Sequence, residues 1–174
     1  KSNAIAFAFC GLNLSFLASL VAARPRRGER YVSSGKDFPN RVPAQPSLDG
    51  LLDALKYNAD GLLTVVAQDA DKNEVLMVAF ADRAAMRKTL ETGLMHYYSR
   101  SRKKMWLKGE ESGHIQQVVS LTVDCDGDAV LAKVKQIGVA CHLGYRSCFA
   151  FSVEKNGRVS SLVSSSKFEA ERAD

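Results

Sequence analysis

The stretch V-D-C-D-G-D-A-V-L-A-K-V-K-Q-I-G-V-A-C-H-L-G-Y-R-S-C-F-A-F, Val123–Phe151, sets three aspartates at alternate positions around one cysteine and adds two cysteines downstream. Side chains of an extended segment alternate between faces. Asp124, Asp126 and Asp128 are therefore expected to project one way and Cys125 the other. Carboxylate oxygens suit magnesium or calcium, whereas a thiolate suits zinc, so one short segment can serve two metals. A solvated acidic turn is the plain alternative, because Asp and Gly are common turn residues. An EF-hand loop fits poorly, since it needs glycine sixth and a bidentate glutamate twelfth. Counted from Asp124, those positions hold Ala129 and Lys135.

Cys141 and Cys148 lie seven residues apart in C-H-L-G-Y-R-S-C, with Gly144 available for a tight turn. With Cys125 they make a set of three thiolates. Three protein ligands leave the fourth position of zinc open, which is the catalytic pattern, and such a site lowers the pKa of water to about 7. Three buried structural cysteines remain the alternative, since cysteine is a common core residue.

Outward from this stretch, short strands outnumber helices, which indicates an α+β fold in a single domain. Leu51, Leu52 and Leu55 have helical spacing, and Asn58-Ala-Asp-Gly ends that helix. Leu62–Gln68 and Glu74–Phe80 form a predicted hairpin around Asp69-Ala-Asp-Lys-Asn. Asp82 is placed to cap a helix that runs to about Leu90, with Gly93 beyond it. Met95–Ser99, Trp106–Leu107, Ile115–Val123, Ala129–Gln136 and Phe149–Val153 are predicted strands, and Lys155-Asn-Gly-Arg is a predicted hairpin turn. The Ser-rich end and Lys167–Asp174 suggest a short helix or a disordered tail. The expected division is a leader over 1–47, a folded domain over 48–155 and a tail over 156–174.

The 174 residues carry a formal charge of +5, but its distribution argues against nucleic-acid binding. Lys1, Arg24, Arg26, Arg27, Arg30, Lys36 and Arg41 face only Glu29 and Asp37 within residues 1–47, so the remainder is neutral. Ala4–Ala23 is an uncharged apolar run of signal-core or membrane-span length. It ends in Val21-Ala22-Ala23, small residues suited to cleavage, before an Arg/Ser-bearing, acid-poor stretch. The arrangement resembles a bipartite plastid presequence, and a thiolate site prefers a reducing compartment. Organelle import is expected, with plastid ahead of mitochondrion or cytoplasm, and with no lasting membrane association once the leader is gone.

Val123–Phe151, Gln68–Phe80, Thr92–Gln116 and Gly61–Leu63 together resemble the phosphoribosyl-AMP cyclohydrolases of histidine biosynthesis, from about Leu52 to Phe151. The resemblance implies hydrolytic opening of the adenine ring of 1-(5-phosphoribosyl)-AMP. It implies an intertwined homodimer that shares zinc, Cys125 coming from one subunit and Cys141 with Cys148 from the other. It also implies magnesium at Asp124, Asp126 and Asp128. His142, beside a zinc cysteine, is the first choice for proton transfer, ahead of His96 and His114. The family's W-x-K-G-E-x-S-G is present from Trp106 to Gly113. Arg100, Arg102, Lys108 and Arg146 are expected to bind the substrate, with Arg suited to bidentate phosphate contacts. Three positions depart from the family pattern: His114 replaces a frequent Asn, Leu143 a usual Thr, and Ala150 a usual aromatic. A zinc module that binds RNA through Arg100–Lys108 is the rival of a different class. A nucleobase deaminase is the nearer rival, but its H-x-E and P-C-x-x-C signature is missing.

Overall fold

The computed structural model describes residues 37–42 and 44–162. The apolar run Ala4–Ala23 and the tail Lys167–Asp174 lie outside the described residues. Among the described residues, three helical segments, α1 (Phe38–Arg41), α2 (Leu48–Ala54) and α3 (Arg83–Thr92), accompany eight strands. The strands are β1 (Leu63–Asp69), β2 (Val75–Ala81), β3 (His96–Ser99), β4 (Lys104–Leu107), β5 (Gln116–Val123), β6 (Ala129–Gln136), β7 (Phe151–Val153) and β8 (Val159–Ser161). Six form one sheet in the order β4-β3-β2-β1-β6-β5, and β7 and β8 form a separate hairpin. The α+β class is thereby established.

Local chemistry sets the element ends. Ser47 Oγ accepts from Gly50 N (3.1 Å) at the start of α2, and Asp82 Oδ1 accepts from Ala85 N (2.7 Å) at the start of α3. Such caps satisfy amide groups that the helix leaves orphaned, each worth about 1 kcal/mol. Gly93 ends α3 at φ 71°, in the left-handed region that a side chain disfavours. Arg83 bridges Asp49 (2.8 Å) and Asp53 (2.6 Å), tying α3 to α2.

Period-two alternation builds the core. Leu63, Val65 and Ala67 of β1 are buried, and the parallel register Val65↔Val130 and Ala67↔Ala132 places β6 residues on the same face. Leu51, Leu52, Ala85, Met86, Met95 and Tyr97 belong to that same cluster. Met95 N donates to Gln116 O (3.0 Å) and Val118 N to Gly93 O (2.8 Å). The segment before β3 thereby reaches the edge strand β5, and the sheet curls.

Three expectations need amendment. Asp124–Asp128 is not extended but is the turn between β5 and β6. Asp124 Oδ1 accepts from Gly127 N (3.0 Å), Asp128 N (3.0 Å) and Ala129 N (3.1 Å), and Gly127 adopts φ 79°. A side chain that bonds its own following amides favours a turn over a strand. Downstream, Val159–Ser161 at the start of the Ser-rich end is a strand, because the turn at Gly157 (φ 84°) folds it back on Phe151–Val153. Finally, residues 37–42 lie within the stretch assigned to the leader, yet Phe38 joins the core and its amide donates to Cys125 O (2.9 Å).

Candidate active site

β1 and β6 run parallel, so both start at one end of the sheet and finish at the other. Their starts carry the aspartate turn, with Thr64 N donating to Asp128 O (3.4 Å). Beyond their finishing ends lie the β1–β2 turn and the Cys141–Cys148 loop, where Cys148 N donates to Leu76 O (2.8 Å).

At the first end, one ligand oxygen from each of Asp124, Asp126 and Asp128 lies within 4.8 Å of the others. The sequence brought these carboxylates together correctly, although a turn rather than strand alternation converges them. Lys56 reaches across them, its Nζ 3.4 Å from Asp126 and 3.9 Å from Asp128. The Lys56 hydrogen bond holds the Asp126 carboxyl below the ordinary range. Desolvation, and then the charges of Asp126 and Asp124, push Asp128 up. Converging oxygens of this kind suit a hard divalent cation.

At the other end, a cavity of about 460 Å³ is lined by Arg102, Trp106, Lys108, Cys141, His142 and Cys148, among others. That volume suits a small organic ligand. The loop from Cys141 to Cys148 closes on itself: Gly144 N donates to Cys141 O (3.1 Å) and Cys141 N to Tyr145 O (3.0 Å). Both thiols line this cavity, close enough for each to act on the other's ionisation. Burial first, then the neighbouring Cys141, pushes the Cys148 thiol up to about 11, against the pull of Lys108. A bound cation reverses that balance, since a coordinating thiol is deprotonated outright. Two soft donors that line one cavity therefore fit zinc.

Cys125 is not with them. Among the described residues no third Cys, His, Asp or Glu completes the pair. The aspartate turn lies level with Thr64 and the cysteine loop level with Gln68, which pairs with Val75. Four residues of β1 span about 13 Å.

Lys108 is buried, and its Nζ donates to His114 O (3.1 Å). Burial lowers its pKa, and the charges of Cys148 and Cys141 oppose that shift. Gly109 must be glycine: at φ 87° an added Cβ would lie 2.6 Å from the His114 carbonyl carbon. The His114 ring packs on Gly138, where an added Cβ would meet it at 2.5 Å. His96 is buried, with Nδ1 2.8 Å from Leu94 O, which is a structural placement.

Of the other predicted substrate residues, Arg100 lies over the Phe80 ring (4.2 Å) and Arg102 over Trp106 (5.9 Å). Arg146 is paired with Asp69 and Glu74. The sequence reading did not single out Met77, Val139 or Ala140 as cavity wall. Nor did it find the buried chain Tyr97 Oη→Gln116 Oε1 (2.7 Å) and Gln116 Nε2→Gln136 Oε1 (2.9 Å). Burial, and then the charge of Cys148, raises the Tyr97 phenol. Both glutamines lie within stretches that carry the family resemblance, but only the β5–β6 register, which sets Gln116 opposite Gln136, joins them.

Residues 77–150, from Met77 on the cavity wall through the cysteine loop, match the family model described as phosphoribosyl-AMP cyclohydrolase. A phosphoribosyl-AMP cyclohydrolase of Methanococcoides burtonii is 55% identical over 103 residues, covering 59% of this chain and 85% of its own. The chain belongs to the phosphoribosyl-AMP cyclohydrolase family. A member from Granulibacter bethesdensis is 49% identical over 116 residues, 67% of this chain and 91% of that one. The Histidine biosynthesis bifunctional protein HisIE of Thermoanaerobacter pseudethanolicus is 48% identical over 109 residues, 63% of this chain and half of its own. Membership makes this chain an enzyme, and the cavity gathers thiols, cationic side chains and histidines in one place.

Proposed function

We propose that this chain hydrolyses 1-(5-phosphoribosyl)-AMP in histidine biosynthesis, opening the adenine ring between N1 and C6 at the cavity beside Cys141 and Cys148. The observation that carries the reading is the convergence of a thiol pair, His142, Arg102 and Lys108 on one cavity, in a chain of this family. Alkylation at N1 leaves C6 electron-poor. Water adds its oxygen to C6, and the adduct collapses by breaking N1–C6. The amino-bearing carbon becomes a carboxamide, and N1 takes a proton. His142 lines the cavity and is exposed to it, so it takes the proton from the adding water and returns it to N1. Arg102 and Lys108 hold the phosphates, Arg by its fork and Lys as a point charge. Arg100, stacked on the Phe80 ring, is not among the residues that line this cavity.

Cys141 and Cys148 hold zinc, which when bound supplies Lewis acidity for activating water at neutral pH. The third thiolate is the partner's Cys125 in a homodimer; the support is that no described residue of the same chain completes the pair. Asp124, Asp126 and Asp128 hold magnesium once Lys56 moves aside. The leader directs import into an organelle, a plastid ahead of a mitochondrion, which its acid-poor, Arg-bearing composition supports.

The reading is tested by offering purified protein 1-(5-phosphoribosyl)-AMP and following ring opening by ultraviolet absorbance, before and after chelation and with zinc restored. Turnover should vanish with the metal and return with it. A metal-loaded protein that leaves the substrate intact refutes the activity, and full turnover after zinc is stripped refutes the zinc.

A further inference from the structure

The Cys141–Cys148 loop has no strand partner of its own, so something else must fix the separation of its sulfurs. Three contacts fasten it to the β1–β2 hairpin. Cys148 N bonds Leu76 O, and the buried Ser147 donates from Oγ to Val75 O (2.8 Å). The third contact is ionic: Arg146 Nη2 donates to Asp69 Oδ2 (2.6 Å) and Nε to Glu74 Oε2 (2.9 Å).

Asp69 is built for this contact. It is 5% exposed, and its other oxygen, Oδ1, accepts from Asp71 N (3.1 Å) and Lys72 N (2.8 Å) in the hairpin turn. Burial alone would raise its pKa, but those amides and the Arg146 guanidinium outweigh burial and hold it low. One carboxylate thus shapes the hairpin turn and grips the cysteine loop. Arg146 also accepts through its carbonyl from Ala140 N (3.1 Å), beside Cys141. Both the backbone and the side chain of this residue therefore bear on the placement of the pair.

We propose that Arg146 is a positioning residue for zinc, holding the Cys141–Cys148 pair at metal-binding separation through its ion pair with Asp69 and Glu74. The sequence suggested a phosphate contact for this arginine; in the structure its fork is committed to two carboxylates. The proposal rests on the zinc reading above. Groups that orient metal ligands from behind typically contribute about 10- to 100-fold to metal affinity.

The test uses the full chain, stripped of metal, with zinc affinity measured by competition against a chromophoric chelator and thiolate geometry read from the charge-transfer band of the cobalt form. Asp69→Asn keeps the acceptor that shapes the turn and loses the partner of Arg146. Asp69→Asn and Arg146→Gln should each weaken zinc binding about 10- to 100-fold and broaden the cobalt band. The double variant should lose no more than either alone, because both remove one interaction. Arg146→Lys should recover part of the loss, and KM of the zinc-saturated variants should stay put. If Arg146→Gln proves unfolded by circular dichroism, Asp69→Asn and Glu74→Gln carry the same expectation. Unchanged zinc affinity in Asp69→Asn overturns the proposal, as does a raised KM confined to Arg146→Gln. Wild-type protein that binds no zinc refutes the metal reading and this proposal together, and its own titration tells that outcome apart.

Discussion

Single-chain geometry makes a quantitative demand on the proposed shared site. A Zn–S bond is about 2.3 Å, so thiolates on one tetrahedral zinc lie about 3.8 Å apart. Cys125 and the Cys141–Cys148 pair sit at opposite ends of β1, about 13 Å of strand apart. Closing that gap within one chain would tear the register from Thr64↔Ala129 to Asp69↔Val134, at the centre of the core. Two copies avoid the problem. Mixing Cys125→Ala chains with Cys141→Ala chains should therefore restore activity that neither variant has alone. In a mixed dimer one composite site draws Cys125 from the second variant and the intact pair from the first, while the other site lacks both. Independent sites give each mixed dimer about half of wild-type activity, and random pairing at equal ratio makes about half the dimers mixed. The recovered activity should approach one quarter of wild type. The assay is ring opening by co-expressed, differently tagged chains, with tandem affinity purification to isolate the mixed species. Purified mixed dimers without activity would refute the shared site.

Two further predictions concern stability. Tyr57 Oη is buried with no hydrogen-bond partner among the described residues, and burial pushes the phenol up to about 12. The raised value means that the unfolded chain releases this proton first, so stability holds below pH 10 and falls between pH 10 and 12. Tyr57→Phe should remove this alkaline loss and raise neutral-pH stability by about 1 kcal/mol, measured by urea titration across pH. Truncation should separate leader from fold. Removing residues 1–36 should leave thermal stability intact, whereas removing 1–47 also deletes the buried Phe38 and should cost about 3 kcal/mol. Equal melting temperatures for the two truncations would show that α1 contributes nothing.

Most elements and the family were legible in the sequence alone. Period-two runs gave β1, β2, β5 and β6, Asp82 and Gly93 marked the two ends of α3, and the cysteine and aspartate spacings marked the candidate metal ligands, because each of these signals is local. The turn at Asp124 also arises locally, but its alternating letters equally describe a strand, and only hydrogen bonds from Gly127, Asp128 and Ala129 to one carboxylate decide between them. Tertiary structure alone decided the rest. The parallel pairing of β1 with β6 joins segments more than sixty residues apart and sends Cys125 to one end of the sheet and Cys141 to the other. It also commits Arg146 to Asp69, seventy-seven residues away, and gathers Lys108, His114 and His142 around one cavity. Local propensity carries no information about such contacts, since they follow from which apolar faces bury together and from the hand and order of the strands that result.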